Sequence, residues 1–194
     1  MYSTNTTSLD SHSMRGVSLI EILVTIVILA VGLLGLAGLQ MRLQSSEVEA
    51  YQRTQASLLL EDMTNRMSAN RKNAASYATG SANSLGTGDG QPATCSGSGQ
   101  GFDACQWSNA LKGAAEQSGS NNVGTMIGAR GCIENLGADQ YQIIVVWQGL
   151  MPLSAPASGC GAGLYNGAAG SSCINDLCRR AMSTIVRVAN LGTP

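Results

Sequence analysis

The clearest pattern in the chain is an apolar run from Val17 to Leu39 that is broken by one charged side chain, Glu21. As an α-helix this run is about 35 Å long, slightly more than the roughly 30 Å hydrocarbon core of a bilayer. The run therefore predicts a membrane-spanning helix. An acid inside such a span is expensive to bury, so Glu21 is a candidate functional residue. Glu21 lies only about 7 Å along the helix from Gly16. Its carboxylate could therefore, as an alternative, stay solvated among the lipid headgroups.

Beyond the span, apolar residues recur at a spacing of three to four, which is typical of an amphipathic helix. They are Val48, Tyr51, Leu58, Leu59, Met63 and Met67. Neither Pro nor Gly interrupts Gln40 to Lys72. We therefore predict one helix from Val17 to Lys72, whose second half packs against a globular head.

The head begins with a loop rich in Gly, Ser and Asn from Asn73 to Gly101. Asp103 and Gln106 resemble a capping box and predict a short helix that ends near Gly119.

Three later segments have the composition of strands. They are Met126 to Glu134, Tyr141 to Gln148 and Thr184 to Leu191. A turn near residues 135–139 joins the first two as an antiparallel hairpin, and a long loop from Gly149 to Ser172 precedes the third. The pattern as a whole predicts an α+β fold, with a long helix packed against a small antiparallel sheet.

Size and charge limit the function. The chain has 194 residues, a net charge of -1 and only 12% charged residues, which suits one membrane helix and one modest domain. Nucleic-acid binding requires a clustered basic face, so we expect none. Arg179 and Arg180 are adjacent, and we interpret them as a solvated loop edge or, alternatively, as a contact patch for a neighbouring subunit or an acidic partner.

All six cysteines follow the apolar run, which indicates a domain stabilised by disulfides in an oxidising compartment. They are Cys95, Cys105, Cys132, Cys160, Cys173 and Cys178. Fifteen pairings are possible, and Cys95 with Cys105 or Cys160 with Cys173 would close local loops. The C-x4-C spacing of Cys173 and Cys178 leaves a thiolate metal site as an alternative, but we expect neither a metal nor a cofactor.

The only histidine is His12, ahead of the apolar run. If the leader is removed, the mature chain has no imidazole for a Ser-His-Asp or Cys-His system, so we expect no catalytic residues. Gly32, Gly35 and Gly38 recur every third residue and form a small-residue stripe suited to close helix packing. Such glycines are also common in membrane helices without a packing role.

A signal peptide places its small-residue cleavage site after the apolar core, whereas here Gly16 comes before it. Cleavage after Gly16 would leave the helix on the protein and create a cationic amine at Val17. Glu21 could neutralise that amine in its own chain or in a neighbouring helix, which would set the register between subunits.

The string from Arg15 to Val24 resembles the class III leader of type IV prepilins and secretion pseudopilins. The resemblance implies a type IV pilin-like fold, cleavage between Gly16 and Val17 by a prepilin peptidase, and N-methylation of Val17. It also implies that Glu21 docks the subunit into a helical filament.

Further along, Ile28–Gln40, Ala50–Ala56 and Asp62–Arg71 resemble the type IV pilus modification proteins, the PilV family of minor pilins. This resemblance implies a subunit of the priming or tip complex that supports pilus assembly, adhesion and twitching motility. Its partners would be other minor pilins, the major pilin, the inner-membrane assembly machinery and the lipid bilayer. The N-terminus would be cytoplasmic and the head periplasmic, before export to the surface fimbrium.

The expected organisation is a leader at 1–16, a membrane or filament-core helix at 17–39, an amphipathic half-helix at 40–72 and a disulfide-containing head at 73–194. Two other functions remain open. One is a pseudopilin of type II secretion. The other is an uncleaved, membrane-anchored periplasmic binding protein.

Overall fold

The computed structural model describes residues 18–114, 117–119, 121–122 and 126–189. The predicted leader, Gly16 and Val17 lie outside this part of the chain. The polypeptide divides into two compact units, Met1–Gln44 and Ser45–Pro194.

The longest element is helix α1, Leu19–Ala69, which begins in the first unit and ends in the second. The backbone N–H of Glu21 donates to the carbonyl of Ser18 at 2.9 Å in its first turn. The predicted long helix is confirmed, although the last residues of the predicted range form a separate 3-10 helix, Arg71–Tyr77. Asn70 separates the two with non-helical angles, φ −109° and ψ 39°.

The second unit contains a four-stranded antiparallel sheet of order β1-β4-β5-β6. Its strands are β1 Leu85–Gly86, β4 Arg130–Gly137, β5 Gln140–Gln148 and β6 Arg179–Arg187. Helix α2, Gln100–Leu111, precedes a two-stranded ribbon of β2 Gln117–Ser118 and β3 Asn121–Asn122. The α+β, type IV pilin-like fold expected from the sequence is therefore confirmed.

The β4–β5 hairpin forms where it was predicted. Ala138 and Asp139 have φ values of 48° and 56°, the left-handed conformation that a tight hairpin turn requires. However, β4 begins at Arg130 rather than Met126, because residues 126–129 form a turn in which the N–H of Ala129 donates to the carbonyl of Met126.

Two other predicted boundaries were wrong. The last strand starts at Arg179 rather than Thr184, since β6 pairs along β5 from Gln148↔Arg179 to Gln140↔Arg187. Helix α2 ends at Leu111 rather than near Gly119, and Gly113 follows with φ 79°. Its N-terminus lies at Gln100, so Asp103 is inside the first turn and does not cap the helix.

The core lies between α1 and the inner face of the sheet. The buried stripe of α1 is Gln52, Ala56, Leu60, Met63 and Met67. Of the predicted stripe, Val48, Tyr51 and Leu58 are exposed instead. Opposite α1, β5 contributes Tyr141, Ile143, Val145 and Trp147.

Both buried tryptophans bond to α1, and one of them explains why a polar residue lies in that stripe. The indole N–H of Trp147 donates to Oε1 of Gln52 at 3.1 Å, and the indole N–H of Trp107 donates to the carbonyl of Leu59 at 2.9 Å. A buried indole requires an acceptor, so Gln52 occupies a position where an apolar residue would leave Trp147 unsatisfied.

Three disulfides join the cysteines within the described residues. Their pairs are Cys95–Cys105, Cys132–Cys160 and Cys173–Cys178. Cys132–Cys160 attaches the long loop after β5 to the outer face of the sheet, where both half-cystines are fully buried with Ile144, Val146 and Tyr165. The local pair Cys160–Cys173 does not form. The thiolate metal alternative for Cys173 and Cys178 is wrong, because these two sulfurs are bonded to each other.

Gly131 is the position where the core leaves no room for a side chain. A Cβ atom there would overlap the buried ring of Trp107. We expect Gly131→Ala to lower the free energy of unfolding by about 1–3 kcal/mol, as overpacking does in well-packed cores.

Urea denaturation followed by near-ultraviolet circular dichroism measures this change. Gly101→Ala is the matched control, since a Cβ at this helical position meets no atom within 4 Å. It should leave stability unchanged or raise it by up to about 1 kcal/mol through helix propensity. Equal stability of the Gly131 variant and wild type would contradict the packing described here.

Candidate functional site

The first part of α1 exposes apolar side chains in every direction. Between Leu19 and Leu43, sixteen large apolar side chains are exposed, with exposed fractions from 46% to 87%. They are Leu19, Ile20, Ile22, Leu23, Val24, Ile26, Val27, Ile28, Leu29, Val31, Leu33, Leu34, Leu36, Leu39, Met41 and Leu43. We call this segment, residues 19–43, the stem. A helix that is apolar all round requires an apolar environment.

By length and composition the stem satisfies the requirements of a membrane span, and its most apolar window has a mean hydropathy of 2.8. No other part of the chain that the structure describes buries this window. The apolar surroundings that the stem requires must therefore come from lipid or from other protein chains.

Glu21 lies in the first turn of the stem, and its side chain is exposed. The nearby hydroxyl of Thr25 donates to the carbonyl of Ile22 at 2.8 Å and is thus satisfied inside its own helix. No described residue donates a hydrogen bond to the Glu21 carboxylate. In an apolar environment, that carboxylate would require a cation or a hydrogen-bond donor from outside the described residues.

The three predicted packing glycines lie further along the stem. A Cβ atom at Gly32, Gly35 or Gly38 would meet no other atom within 4 Å. Gly35 and Gly38, together with Leu39 and Arg42, line a shallow depression of about 330 Å³. The backbone is therefore open to close approach at this point, as helix packing through small residues requires.

In the head, the structure contradicts the interpretation of Arg179 and Arg180 as a solvated edge. Their exposed fractions are 3% and 7%. Arg179 donates to the carbonyls of Ser158 and Cys160 at 2.7 and 2.8 Å and is ion-paired with Asp176 at 3.3 Å. These contacts hold the loop after β5.

Arg180 has a different set of partners. One guanidinium nitrogen donates to Glu49 of α1 at 3.1 Å and to the carbonyl of Met151 at 2.6 Å. This residue therefore connects β6, the loop and the first helical turns of the second unit. Two adjacent arginines in a charge-poor sequence offer no signal that both are buried.

Asp89 is the centre of another buried cluster that sequence reasoning missed. Its carboxylate pairs with Lys112 and accepts hydrogen bonds from Ser108 at 2.7 Å and from the backbone N–H of Gly86 at 2.8 Å. Burial alone would raise the pKa of Asp89, but these hydrogen bonds, with one from the N–H of Gln91, outweigh it and hold that pKa below its usual range.

A third cluster joins the end of α1 to α2. Arg66 pairs with Asp62 at 3.0 Å and with Asp103 at 3.2 Å. Tyr77 donates to Asp103, and its pKa is raised, first by burial and then by this hydrogen bond. Burial alone would lower the pKa of Arg66, but the two carboxylates raise it. Asp103 and Gln106, predicted as a cap, instead hold α1 through Arg66.

Within the described ranges, no group of three or more His, Cys, Asp or Glu side chains is arranged to hold a metal ion. The charged clusters of the head join secondary-structure elements to each other. The feature that requires something outside the chain is the stem with its carboxylate.

Comparison with known families agrees with this. Residues 11–37 match the family described as the prokaryotic N-terminal methylation motif. The matched segment includes Gly16, Val17 and Glu21 and continues past Gly32 and Gly35. No curated protein matches the chain significantly. No solved structure does so either.

The motif and the fold together support a type IV pilin-type protein. Such a protein is processed by a prepilin peptidase and assembled with pilus machinery into a pilus or pseudopilus. The apolar stem suits an inner-membrane-anchored pilin.

The Asp89 cluster yields a prediction about acid stability. Since the folded-state pKa of Asp89 is lowered, its contribution is present above the unfolded pKa of about 3.9 and is lost as the pH falls through the folded value. We expect Asp89→Asn to lower the free energy of unfolding by about 1–3 kcal/mol at pH 7, because an amide cannot replace the carboxylate opposite Lys112.

The difference between the variant and wild type should narrow below a pH of about 4, where wild type loses the same charge. Urea denaturation at pH 7 and at a pH below about 4 measures this difference in the free energy of unfolding. Glu61→Gln, an exposed carboxylate on α1, is the control and should stay within about 0.5 kcal/mol of wild type. An equal gap at both pH values would contradict the role of the ionised carboxylate.

Proposed function

We propose that the chain is a minor pilin of the PilV family, cleaved after Gly16, methylated on Val17 and incorporated into a type IV pilus. The observation that carries the proposal is the exposed apolar stem with a single carboxylate near its start, placed inside the matched prepilin motif. Its role would be in the priming or tip complex, with other minor pilins and the major pilin as neighbours, and would serve adhesion and twitching motility.

The chemistry of docking follows from cleavage. Removal of the leader creates an amine at Val17 that is cationic at neutral pH and lies close in sequence to Glu21. When the stem leaves lipid for a bundle of similar stems, the Glu21 carboxylate must remain paired, since an unpaired buried charge destabilises strongly. Pairing with the amine of a neighbouring subunit would fix the axial position of each stem.

The glycine stripe supports the same arrangement. Open backbone at Gly32, Gly35 and Gly38 would let neighbouring stems approach closely and gain van der Waals contact, which drives helix association in an apolar medium. We propose that this stripe is a packing surface of the filament core.

The segment on whose resemblance the PilV assignment rests has a structural role in the head. The segment from Asp62 to Arg71 that resembles this family contains Arg66 and Asn70, which bond to α2 and to Tyr77. These residues therefore shape the head at the end of α1.

We also propose that the chain has a structural function and no catalytic one. The ionisable groups of the head that are held in buried clusters join α1, α2 and the loop after β5.

Processing can be tested directly. Intact mass and N-terminal sequencing of protein extracted from membranes should give a chain that begins at methylated Val17. An intact leader would instead favour a membrane-anchored binding protein. Recovery of the processed chain in sheared surface fibres would favour a pilus, whereas its absence from fibres together with a secretion defect on deletion would favour a pseudopilin of type II secretion.

For docking, we expect Glu21→Ala to be cleaved normally but to enter fibres about tenfold less, which corresponds to a loss of about 1.4 kcal/mol in the assembly equilibrium. Quantitative immunoblotting of sheared fibres against the membrane fraction measures the ratio. Glu47→Ala removes an exposed carboxylate of α1 beyond the stem and is the matched control. Wild-type incorporation of the Glu21 variant would refute the docking role.

A further inference from the structure

An exposed apolar segment lies at the start of the loop after β5. Leu150, Met151 and Leu153 have exposed fractions of 44%, 60% and 56%. Pro152 between them is also exposed, and no charged residue occurs from Gly149 to Asn175. Single exposed apolar residues are common on protein surfaces, but three within four positions of an uncharged loop form a patch.

The backbone of this segment is held firmly. The N–H of Gly149 donates to the carbonyl of Cys178 and the N–H of Leu153 to the carbonyl of Leu177, both at 2.7 Å. Arg180 donates to the carbonyl of Met151. The backbone of the segment is therefore bonded at three points to β6 and to the residues just before it.

The segment lies beside the part of the second unit that follows the stem. Met151 and Leu153 line a cavity of about 230 Å³ together with Ser45, Ser46 and Glu49. The backbone from Leu39, where the uncharged apolar run ends, to Ser45 spans at most about 22 Å when fully extended and about 9 Å as a helix. Chain connectivity alone therefore limits how far Ser45, which lines this cavity, can lie from the end of the apolar run.

Charge at this place is compatible with a lipid surface. Glu49 and Arg180 neutralise each other across 3.1 Å beside the apolar residues. The ion pair carries no net charge that an anionic lipid surface would repel, and apolar area is what drives binding at the headgroup and acyl-chain boundary of a bilayer.

We propose that the Leu150–Leu153 segment docks on the outer leaflet of the inner membrane while the subunit is anchored there. The partner is the lipid surface, and the contact would fix the orientation of the head before assembly. This inference rests on the proposed function, because it requires that the stem crosses the bilayer.

Fluorescence quenching by lipid tests the proposal on the full chain, reconstituted in vesicles of phosphatidylethanolamine and phosphatidylglycerol with or without brominated acyl chains. Trp107 and Trp147 are 0% and 2% exposed, so they provide a constant background. In brominated vesicles we expect Leu153→Trp to lose about half of its added emission, as a side chain at the acyl boundary should. Met151→Trp should behave in the same way and serves as a second variant should the first not fold.

Two further variants separate the possible failures. Ile28→Trp reports on the stem. Ile185→Trp is the matched head control, since Ile185 is 58% exposed on β6, about 17 Å along the strand from Arg180. Residues 188 and 189 beyond it share a cavity with Arg71 and Lys72 at the opposite end of the head.

Quenching of the Leu153 and Ile28 variants without quenching of the Ile185 variant would support the proposal. Quenching of the Ile28 variant alone would overturn lipid docking and leave the membrane-anchored subunit intact. No quenching of the Ile28 variant would overturn the membrane anchor and the docking together. Equal quenching of the Leu153 and Ile185 variants would indicate non-specific adsorption of the head and would overturn the proposal. Shielding of Leu153→Trp only in assembled fibres would assign the segment to a contact with a neighbouring subunit, and this result would also overturn the proposal.

Discussion

The constraint on which the protein depends is that the exposed apolar surface of the stem cannot remain in water. Sixteen large apolar side chains between Leu19 and Leu43 are exposed, and no other described residues cover them. Burying one such side chain from full exposure stabilises by about 1.5–3 kcal/mol, and about half or more of each is exposed, so the sum is at least comparable to the stability of a typical domain. The surroundings of the stem, whether lipid or other stems, therefore decide where the subunit resides. In either environment Glu21 is the residue whose partner matters, because its charge is the one that lipid tolerates poorly.

The head must be stable whichever environment the stem occupies, and its construction reflects this. Aromatic residues are only 4% of the chain, and both tryptophans are buried in the main core. Each indole bonds to α1, so the helix and the rest of the head are joined by polar contacts as well as by packing. Disulfides and buried arginines then hold long loops that contribute few apolar side chains. A small core with covalent and ionic cross-links is the expected solution for a domain rich in glycine.

Much of the fold could be predicted from the sequence, because the stem, the β5 strand and the hairpin have strong local patterns. The buried face of α1 could not be predicted fully, since periodicity assigns only apolar residues to the core. Gln52 is buried because it accepts a hydrogen bond from the distant Trp147. Arg179 and Arg180 were misread for a similar reason. Their partners are backbone carbonyls and carboxylates far along the chain, which no local pattern reveals. The open backbone at the stem glycines and the exposed side chain of Glu21 are compatible with the packing and docking roles predicted for them. The groups that would contact them belong to separate chains, so the sequence of this chain does not reveal them.

Arg180 holds the backbone of the exposed apolar segment beside β6. A side chain at Gly149 would come within 2.6 Å of the Arg180 guanidinium, so the close approach of strand and loop depends on that glycine. The resulting patch is small. About half of each of its three apolar side chains is already covered, so complete burial would contribute about 2–4 kcal/mol. This corresponds to millimolar binding or weaker for an isolated contact, enough to orient a head that is already tethered but not to retain it. The stem would then be the part that holds the subunit in the membrane. Its transfer from lipid to a bundle of other stems would replace one apolar environment with another.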